Sequence, residues 1–139
     1  TQKRLKEFNL LNQFLNISLE SISESESRPI TNHQLLLIQP LGYLDFLKLE
    51  MNARFVMTDS GGMQEETTVL NVPCLTLRNT TERPITITQG TNTLVWNNTE
   101  TITAEAFKIL DGKGKKGSCP ELWDGKTAER IVEILADSR

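Results

Sequence analysis

The sequence has very few of the residues that build metal clusters and disulfide frameworks. Its 139 residues include two cysteines, Cys74 and Cys119, and a single histidine, His33. These make neither a metal cluster nor a disulfide framework. The sequence has no run of 18 apolar residues and no apolar signal core near its first residue,. We therefore expect a reduced, cytoplasmic chain with no membrane partner, no metal and no cofactor.

An excess of positive charge is absent as well. The chain has 15 basic and 18 acidic residues, which gives a net charge of −3. Proteins that bind nucleic acid through its phosphates are basic, so we expect no nucleic-acid partner. The length is that of one domain, large enough to bury a core.

Residues 18–32 are low in apolar content and rich in serine and glutamate. Such a segment cannot bury enough surface to offset the entropy lost on ordering. We predict that it is a flexible, solvated insertion. His33 follows it, so we interpret this histidine as a solvated loop residue rather than a catalytic one.

Short apolar runs alternate with helical patterns along the rest of the chain. The runs predict four strands, near residues 35–39, 54–58, 74–77 and 92–96,. Six helices are predicted. The first covers residues 1–8, the second begins at Tyr43, the third follows the glycines at 61 and 62, and the fourth ends before Gly90. The fifth is capped by Thr101, with Leu110 pointing inward, and the last begins at Asp124 or Gly125. Alternating strands and helices predict an α/β fold, a Rossmann-like parallel sheet with helices on both faces.

Residues 58–66, which read Thr-Asp-Ser-Gly-Gly-Met-Gln-Glu-Glu, join a predicted buried strand to a predicted helix. Two adjacent glycines let backbone N–H groups approach a ligand with no Cβ in the way. The helix N-terminus adds unpaired N–H donors, which suit a phosphate. We therefore predict a phosphate cradle at Ser60, Gly61 and Gly62. The alternative is an ordinary helix start with Ser60 as its cap and acidic residues favouring the helix dipole.

Glu66 lies four residues after Gly62, which places the two on one helical face about 5.4 Å apart along the axis. A phosphate held at the glycines would leave a ribose near Glu66, whose two oxygens could accept from both sugar hydroxyls. We predict that Glu66, and not Glu65, binds the ribose.

The string at 58–66 is not isolated. It is followed by Val-Pro-Cys at 72–74 and Thr-Thr-Glu-Arg-Pro at 80–84, and it is flanked by further strings at 39–46, 90–92 and 120–126. Together these resemble the UDP-N-acetylglucosamine 2-epimerases, in order and at similar spacing, over about residues 35–136. The resemblance implies that residues 1–139 are the C-terminal UDP-binding domain of a two-domain glycosyltransferase-B-type enzyme, truncated at its N-terminal side.

The resemblance also implies two further substrate contacts. Phe46, in the Tyr-Leu-Asp-Phe string, would lie against the uracil; otherwise it is a core residue. Arg83 would contact a phosphate or the domain interface; otherwise it is an arginine that precedes a helix starting at Pro84. The acid and base carboxylates of the family belong to its first domain, and its histidine-arginine motif to the start of the second. Because this sequence has no counterpart of either, no catalytic residue is assigned.

The implied reaction is the interconversion of UDP-GlcNAc and UDP-ManNAc by elimination and re-addition of UDP. The resemblance implies that the missing domain is a partner and that the full-length enzyme is a homodimer; we expect the fragment alone to be inactive. Two other interpretations remain open at this point: a non-catalytic UDP-sugar-binding or regulatory module, and the donor-binding half of a glycosyltransferase.

Residues 112–117 match the dinucleotide fingerprint G-x-G-x-x-G letter for letter. That fingerprint must leave a strand and open a helix. This stretch leaves a predicted helix and runs into Ser-Cys-Pro. We therefore interpret it as a flexible basic loop and not as a cofactor site.

Overall fold

The computed structural model describes residues 14–16 and 35–137. The predicted helix at residues 1–8, the insertion at 18–32 and His33 lie outside the described residues. The chain divides into two compact units, Thr1–Gly42 and Tyr43–Arg139. No helix in the described part of the chain is long and apolar enough to cross a membrane.

The first unit contains two short parallel strands, β1 (Phe14–Asn16) and β2 (Leu35–Leu37). Phe14 is paired with Leu35 and Asn16 with Leu37. β2 was predicted, whereas β1 was not. Three residues of mixed polarity give no periodic signal of their own, so β1 is defined by its partner strand rather than by its sequence.

The second unit is built on a three-stranded parallel sheet in the order β3-β4-β5. Its elements follow one another in the alternation that the sequence predicted. They are α1 (Tyr43–Met51), β3 (Val56–Thr58), α2 (Gly61–Val69), β4 (Cys74–Thr76), α3 (Pro84–Thr88), β5 (Asn92–Leu94), α4 (Thr99–Leu110) and α5 (Thr127–Asp137). The four predicted strands therefore divide between two sheets, with β2 paired to β1 and the other three together.

Both faces of this sheet are covered. Cys74, Leu75 and Thr76 of the central strand are all fully buried, although successive side chains point to opposite faces,. Helix α2 packs against all three strands, and α4 packs against β4. A central strand that is apolar or hydrogen-bonded on both sides is typical of a parallel α/β sheet. The predicted sheet with helices on both faces is confirmed.

Two predicted helix starts were wrong by a few residues. Helix α4 is capped by Asn98, whose Oδ1 accepts from the N–H of Thr101 at 2.8 Å, so Thr101 is the third helical residue and not the cap. Several polar residues in this stretch are possible caps, and the helix begins at the one whose side chain reaches back to the first turn. Leu110, predicted to point inward, is 46% exposed.

Helix α5 begins at Thr127 rather than at Asp124 or Gly125. Gly125 has a positive φ of 79°, outside the helical region, and Asp124 Oδ1 accepts from the N–H of Lys126 at 3.0 Å. Asp124 also forms an ion pair with Arg130. The side chain of Asp124 therefore stabilises a turn before the helix, and Asp124 is not part of the helix itself.

The basic loop at 112–117 opens no helix, and it contacts the end of α3 and β5. Lys115 Nζ donates to the carbonyl oxygen of Ile87 and, at 2.8 Å, to that of Asn92. Partial burial lowers the pKa of Lys115. The backbone of Gly117 lies so close to Gly90 that a Cβ on Gly117 would come within 2.4 Å of it. The carbonyl groups in the last turn of α3 have no N–H partner within the helix, and Lys115 donates to one of them, that of Ile87,.

Candidate functional site

The carboxyl ends of β3, β4 and β5 form one edge of the sheet, where open α/β sheets bind their ligands. β3 ends at Thr58, immediately before the turn at Ser60. β4 ends at Thr76, and the N–H of Leu77 still donates to the carbonyl of Thr58 at 2.9 Å. The loop at 78–83 therefore leaves the same edge as Ser60. The sheet thus brings together two stretches that the sequence analysis assigned to the site.

Ser60 occupies the N-cap position of α2 with φ −80° and ψ 127°, but its side chain makes no capping hydrogen bond. Its N–H donates to Thr58 Oγ1 at 3.0 Å. The N–H of Ser60 is therefore engaged within the turn, and the predicted contact of Ser60 with a phosphate stays a prediction. The exposed hydroxyl of Ser60 remains available to a ligand.

Gly61 and Gly62 open α2, and nothing in the described part of the chain requires glycine at either position. A Cβ on Gly61 would have no atom within 4 Å, and one on Gly62 would meet only Ser60 Oγ at 3.9 Å. Neither glycine has a positive φ. By contrast, a Cβ on Gly90 would lie 2.5 Å from Thr68 Oγ1. The space in front of Gly61 and Gly62 is thus left open by the fold, beside the unpaired N–H groups of the first helical turn.

Glu65 and Glu66 point to different partners. Glu65 Oε1 lies 2.8 Å from Arg83 Nε, an ion pair whose two side chains are each about 40% exposed. Arg83 immediately precedes α3, so the pair joins α2 to the start of α3. The structure therefore gives Arg83 an acidic partner within the protein, beside the predicted phosphate cradle.

Glu66 faces α1. The negative charge of the Glu66 carboxylate raises the pKa of the Tyr43 hydroxyl. Tyr43, Leu47 and Glu66 line one cavity of about 430 Å³, which is completed by Glu65, Val69, Leu70 and Trp123. This cavity is a space of the size of a small ligand group, with the Glu66 carboxylate on its wall.

Phe46 lies on α1, three residues after Tyr43, and is half-buried. It is not among the residues that line the cavity at Glu66. Its predicted contact with a uracil ring stays a prediction.

A network of hydrogen bonds between polar side chains connects the elements around the site. Gln64 Oε1 accepts from Thr81 Oγ1 at 2.6 Å and from Asn92 Nδ2 at 3.2 Å. Asn92 Oδ1 in turn accepts from Thr76 Oγ1 at 2.6 Å. Gln64, Thr76 and Asn92 are fully buried, so the bonds among them are shielded from water,. Together with the part-buried bond to Thr81, they hold α2, β4, β5 and the loop at 81 together.

The sequence pattern gave no indication that Gln64, Asn92 or Tyr43 belongs to the site. Gln64 directly follows the glycines and Met63, and that adjacency was the available signal. A glutamine in the first turn of a helix is ordinarily solvated, so its burial was not apparent from the sequence. Among the described residues, no group of three His, Cys, Asp or Glu side chains could hold a metal ion.

Comparison with known proteins gives a consistent result. The family described as UDP-N-acetylglucosamine 2-epimerase matches residues 12–136. The chain is 44% identical over 135 residues to the UDP-N-acetylglucosamine 2-epimerase of Methanocaldococcus jannaschii, covering 97% of this chain and 32% of that protein. It is 37% identical over 109 residues to the Escherichia coli K12 protein of the same name, covering 76% of this chain and 29% of that protein.

Solved structures agree. The crystal structure of the M. jannaschii UDP-GlcNAc 2-epimerase in complex with UDP-GlcNAc and UDP superposes with a TM-score of 0.68 at 40% identity, covering 99% of this chain and 33% of that chain. The Neisseria meningitidis enzyme bound to UDP-GlcNAc gives a TM-score of 0.67 at 34% identity, covering 77% of this chain and 30% of that chain. The chain thus spans about a third of the length of these relatives.

Proposed function

Because this chain belongs to the UDP-N-acetylglucosamine 2-epimerase family, we propose that it is the UDP-binding part of an enzyme that interconverts UDP-GlcNAc and UDP-ManNAc. The proposal draws support from relatives whose crystal structures contain UDP-GlcNAc or UDP. The complete enzyme is proposed to add a first domain that carries the acid and base carboxylates, and to act as a cytoplasmic homodimer.

The single observation that carries the proposal is the open turn at the end of β3. The Ser60 hydroxyl is exposed and makes no cap, and the first-turn N–H groups of α2 lie beside a space at Gly61 that no atom of residues 14–16 or 35–137 fills. Backbone dipoles and N–H groups at a helix N-terminus bind phosphate. Glu66 follows one turn later, where the ribose of a nucleotide held at the glycines would lie.

The proposed reaction makes this cradle part of the chemistry. In the forward direction the bond between C1 of the sugar and the diphosphate oxygen breaks, while a base removes the proton at C2. UDP and a glycal with a double bond between C1 and C2 result. In the second step UDP adds back to C1, and a proton adds to C2 on the face opposite to the one from which the first proton was removed. Because the leaving diphosphate gains negative charge, donors fixed at Gly61 and Gly62 stabilise it and keep it for re-addition.

Calorimetric titration of the chain with UDP and with uridine tests the binding part of this proposal. UDP is expected to bind at least about ten-fold more tightly, since hydrogen bonds to a charged group contribute about 1.5–3 kcal/mol. Equal affinities would show that the phosphates make no contact here. Adenosine diphosphate serves as a control for attraction to any diphosphate.

The chain alone is expected to leave UDP-GlcNAc unchanged. The carboxylates that move the C2 proton are proposed to lie in the first domain, which these residues do not supply. Incubation with UDP-GlcNAc in deuterated water, followed by proton NMR of C2, measures the exchange directly. Deuterium at C2 above a buffer control would contradict the assignment of the acid and base to another domain.

A further inference from the structure

The backbone of Arg83 is held at both of its polar groups by side-chain hydroxyls. Its N–H donates to Thr81 Oγ1 at 3.0 Å, and its carbonyl oxygen accepts from Thr86 Oγ1 at 2.7 Å. Arg83 is the residue that caps the start of α3. The two bonds therefore fix the chain at the point where it passes from the loop at the edge of the sheet into this helix.

The two hydroxyls are connected to each other through two amide side chains, and the bonds close into a ring. Thr81 Oγ1 donates to Gln64 Oε1 at 2.6 Å. Asn92 Nδ2 donates to Gln64 Oε1 at 3.2 Å and to Thr86 Oγ1 at 3.1 Å. Gln64, Thr86 and Asn92 are fully buried. This set of bonds, the Arg83 ring, begins at the N–H of Arg83 and ends at its carbonyl oxygen.

The peptide groups of Arg83 determine which partner donates in every bond of the Arg83 ring. A backbone N–H only donates and a carbonyl oxygen only accepts. Thr81 therefore accepts from Arg83 and gives its own proton to Gln64. Thr86 gives its proton to the Arg83 carbonyl, so it accepts from Asn92, whose two amide hydrogens go to Thr86 and Gln64. Gln64 must then present its oxygen, although its Nε2 has no hydrogen-bond partner among the described residues. Because each member has one allowed orientation, the ring holds the Arg83 backbone in one position.

The guanidinium of Arg83 lies on the face of α2 that carries the glycine turn. Its Nε is 2.8 Å from Glu65 Oε1. Glu65 follows Gly61 by four residues, so both lie on one face of α2, and side chains of a helix lean toward its N-terminus. The Glu65–Arg83 contact is therefore about one helical turn, or about 5.4 Å along the axis, from the first N–H groups of α2.

We propose that the Arg83 ring positions the Arg83 guanidinium as a second contact for the diphosphate of UDP, beside the N–H groups of α2. Thr81 is the positioning residue, because its hydroxyl connects Gln64 of α2 to the backbone of Arg83. This inference rests on the proposed function of the chain in UDP binding. A guanidinium presents its donors in a fixed fork that suits phosphate oxygens, and fixing it before the ligand arrives lowers the ordering cost of binding.

Burial differs between the guanidinium and the ring that holds it. The Arg83 side chain is 41% exposed, whereas three members of the ring are fully buried. The guanidinium is thus open to a ligand, while the bonds that hold its backbone are shielded from water. Its ion pair with Glu65 is half-exposed, and such pairs contribute little to stability. A diphosphate can therefore share the guanidinium with Glu65 at small cost.

Substitutions of Thr81 separate positioning from simple loss of stability. Thr81→Val removes the hydroxyl and should lower UDP affinity about five- to ten-fold, with the affinity for uridine changed by less than about two-fold. Thr81→Ser keeps the hydroxyl and should restore UDP binding. Thr88→Val is the matched control, since it removes an exposed hydroxyl of α3 that donates to the Pro84 carbonyl. Its UDP affinity should equal that of the unsubstituted chain. Calorimetry measures all of these affinities.

Substitutions of Arg83 test the route by which Thr81 acts. Arg83→Gln should lower UDP affinity about ten-fold, and adding Thr81→Val to it should cause no further loss. Arg83 is half-exposed, so its variants are expected to fold even if Thr81→Val does not. Arg83→Lys keeps the charge but not the fixed fork, so its loss should approach that of Arg83→Gln.

Amide hydrogen exchange tests the Arg83 ring without any ligand. The N–H of Arg83 should exchange at least about ten-fold faster in Thr81→Val than in the unsubstituted chain, because its acceptor is gone. Thr81→Ser should exchange at the original rate. An unchanged rate in Thr81→Val would show that the ring does not hold the Arg83 backbone.

The binding results distinguish a failure of this inference from a failure of the proposed function. Additive losses for Thr81→Val and Arg83→Gln, equal losses of UDP and uridine affinity, or full UDP affinity in Arg83→Lys would overturn the inference. If UDP binds the unsubstituted chain and Arg83→Gln equally well, the proposed function stands and the role of the ring falls. If the unsubstituted chain does not bind UDP, both fall.

Discussion

Replacing Gly61 by valine is expected to lower the affinity for UDP at least a hundred-fold, while the chain folds normally. The branched side chain would occupy the open space in front of the first turn of α2, which the phosphate must enter to reach the backbone N–H groups,. Contacts to a charged group contribute about 1.5–3 kcal/mol each, and losing even one or two accounts for this change. Calorimetric titration with UDP measures it.

The fold itself should tolerate this substitution, which makes the result interpretable. A Cβ at Gly61 meets no atom within 4 Å, and its φ is not in the left-handed region. Valine also has a higher helix propensity than glycine. Gly61→Ala should give a smaller loss, and Thr99→Val, at the first position of α4, should give none. A folded Gly61→Val chain with undiminished UDP affinity would show that the phosphate binds elsewhere.

Glu66→Gln is expected to weaken UDP binding by about 10- to 100-fold, whereas Glu65→Gln should change it by no more than about five-fold. The first substitution removes the charged acceptor of the ribose hydroxyls, which contributes about 1.5–3 kcal/mol. The second removes the partner of Arg83 in a half-exposed ion pair, and such pairs contribute about 0–1 kcal/mol,. Both affinities are measured by calorimetry on proteins shown to be folded.

A ligand change isolates the ribose contact from any effect on the fold. The affinity of 2′-deoxy-UDP should be lower than that of UDP for the unsubstituted chain, and nearly equal to it for Glu66→Gln. The difference between the two affinity losses measures the interaction between Glu66 and the 2′-hydroxyl of the ribose. Equal losses for Glu65→Gln and Glu66→Gln, or no coupling with the missing hydroxyl, would refute the assignment of the ribose to Glu66.

Local features of the site were predictable because each is encoded within a few residues. The turn from β3 into α2 follows from an apolar run, two glycines and a helical pattern, all within about ten residues. The spacing of Gly62 and Glu66 follows from helix geometry alone. The capture of the Ser60 N–H by Thr58, two residues earlier, is also local and typical of a threonine before a turn,.

The sequence by itself therefore determined the order of strands and helices, the family and the position of the glycine turn, because local periodicity and short motifs specify them. Only the tertiary structure decided that Glu65 pairs with Arg83 and that Gln64 is buried against Asn92. These partners are 18 and 28 residues apart, and the packing of α2 and α3 against the sheet brings them together. Such contacts depend on how separate helices and strands pack, and no local sequence pattern specifies that packing.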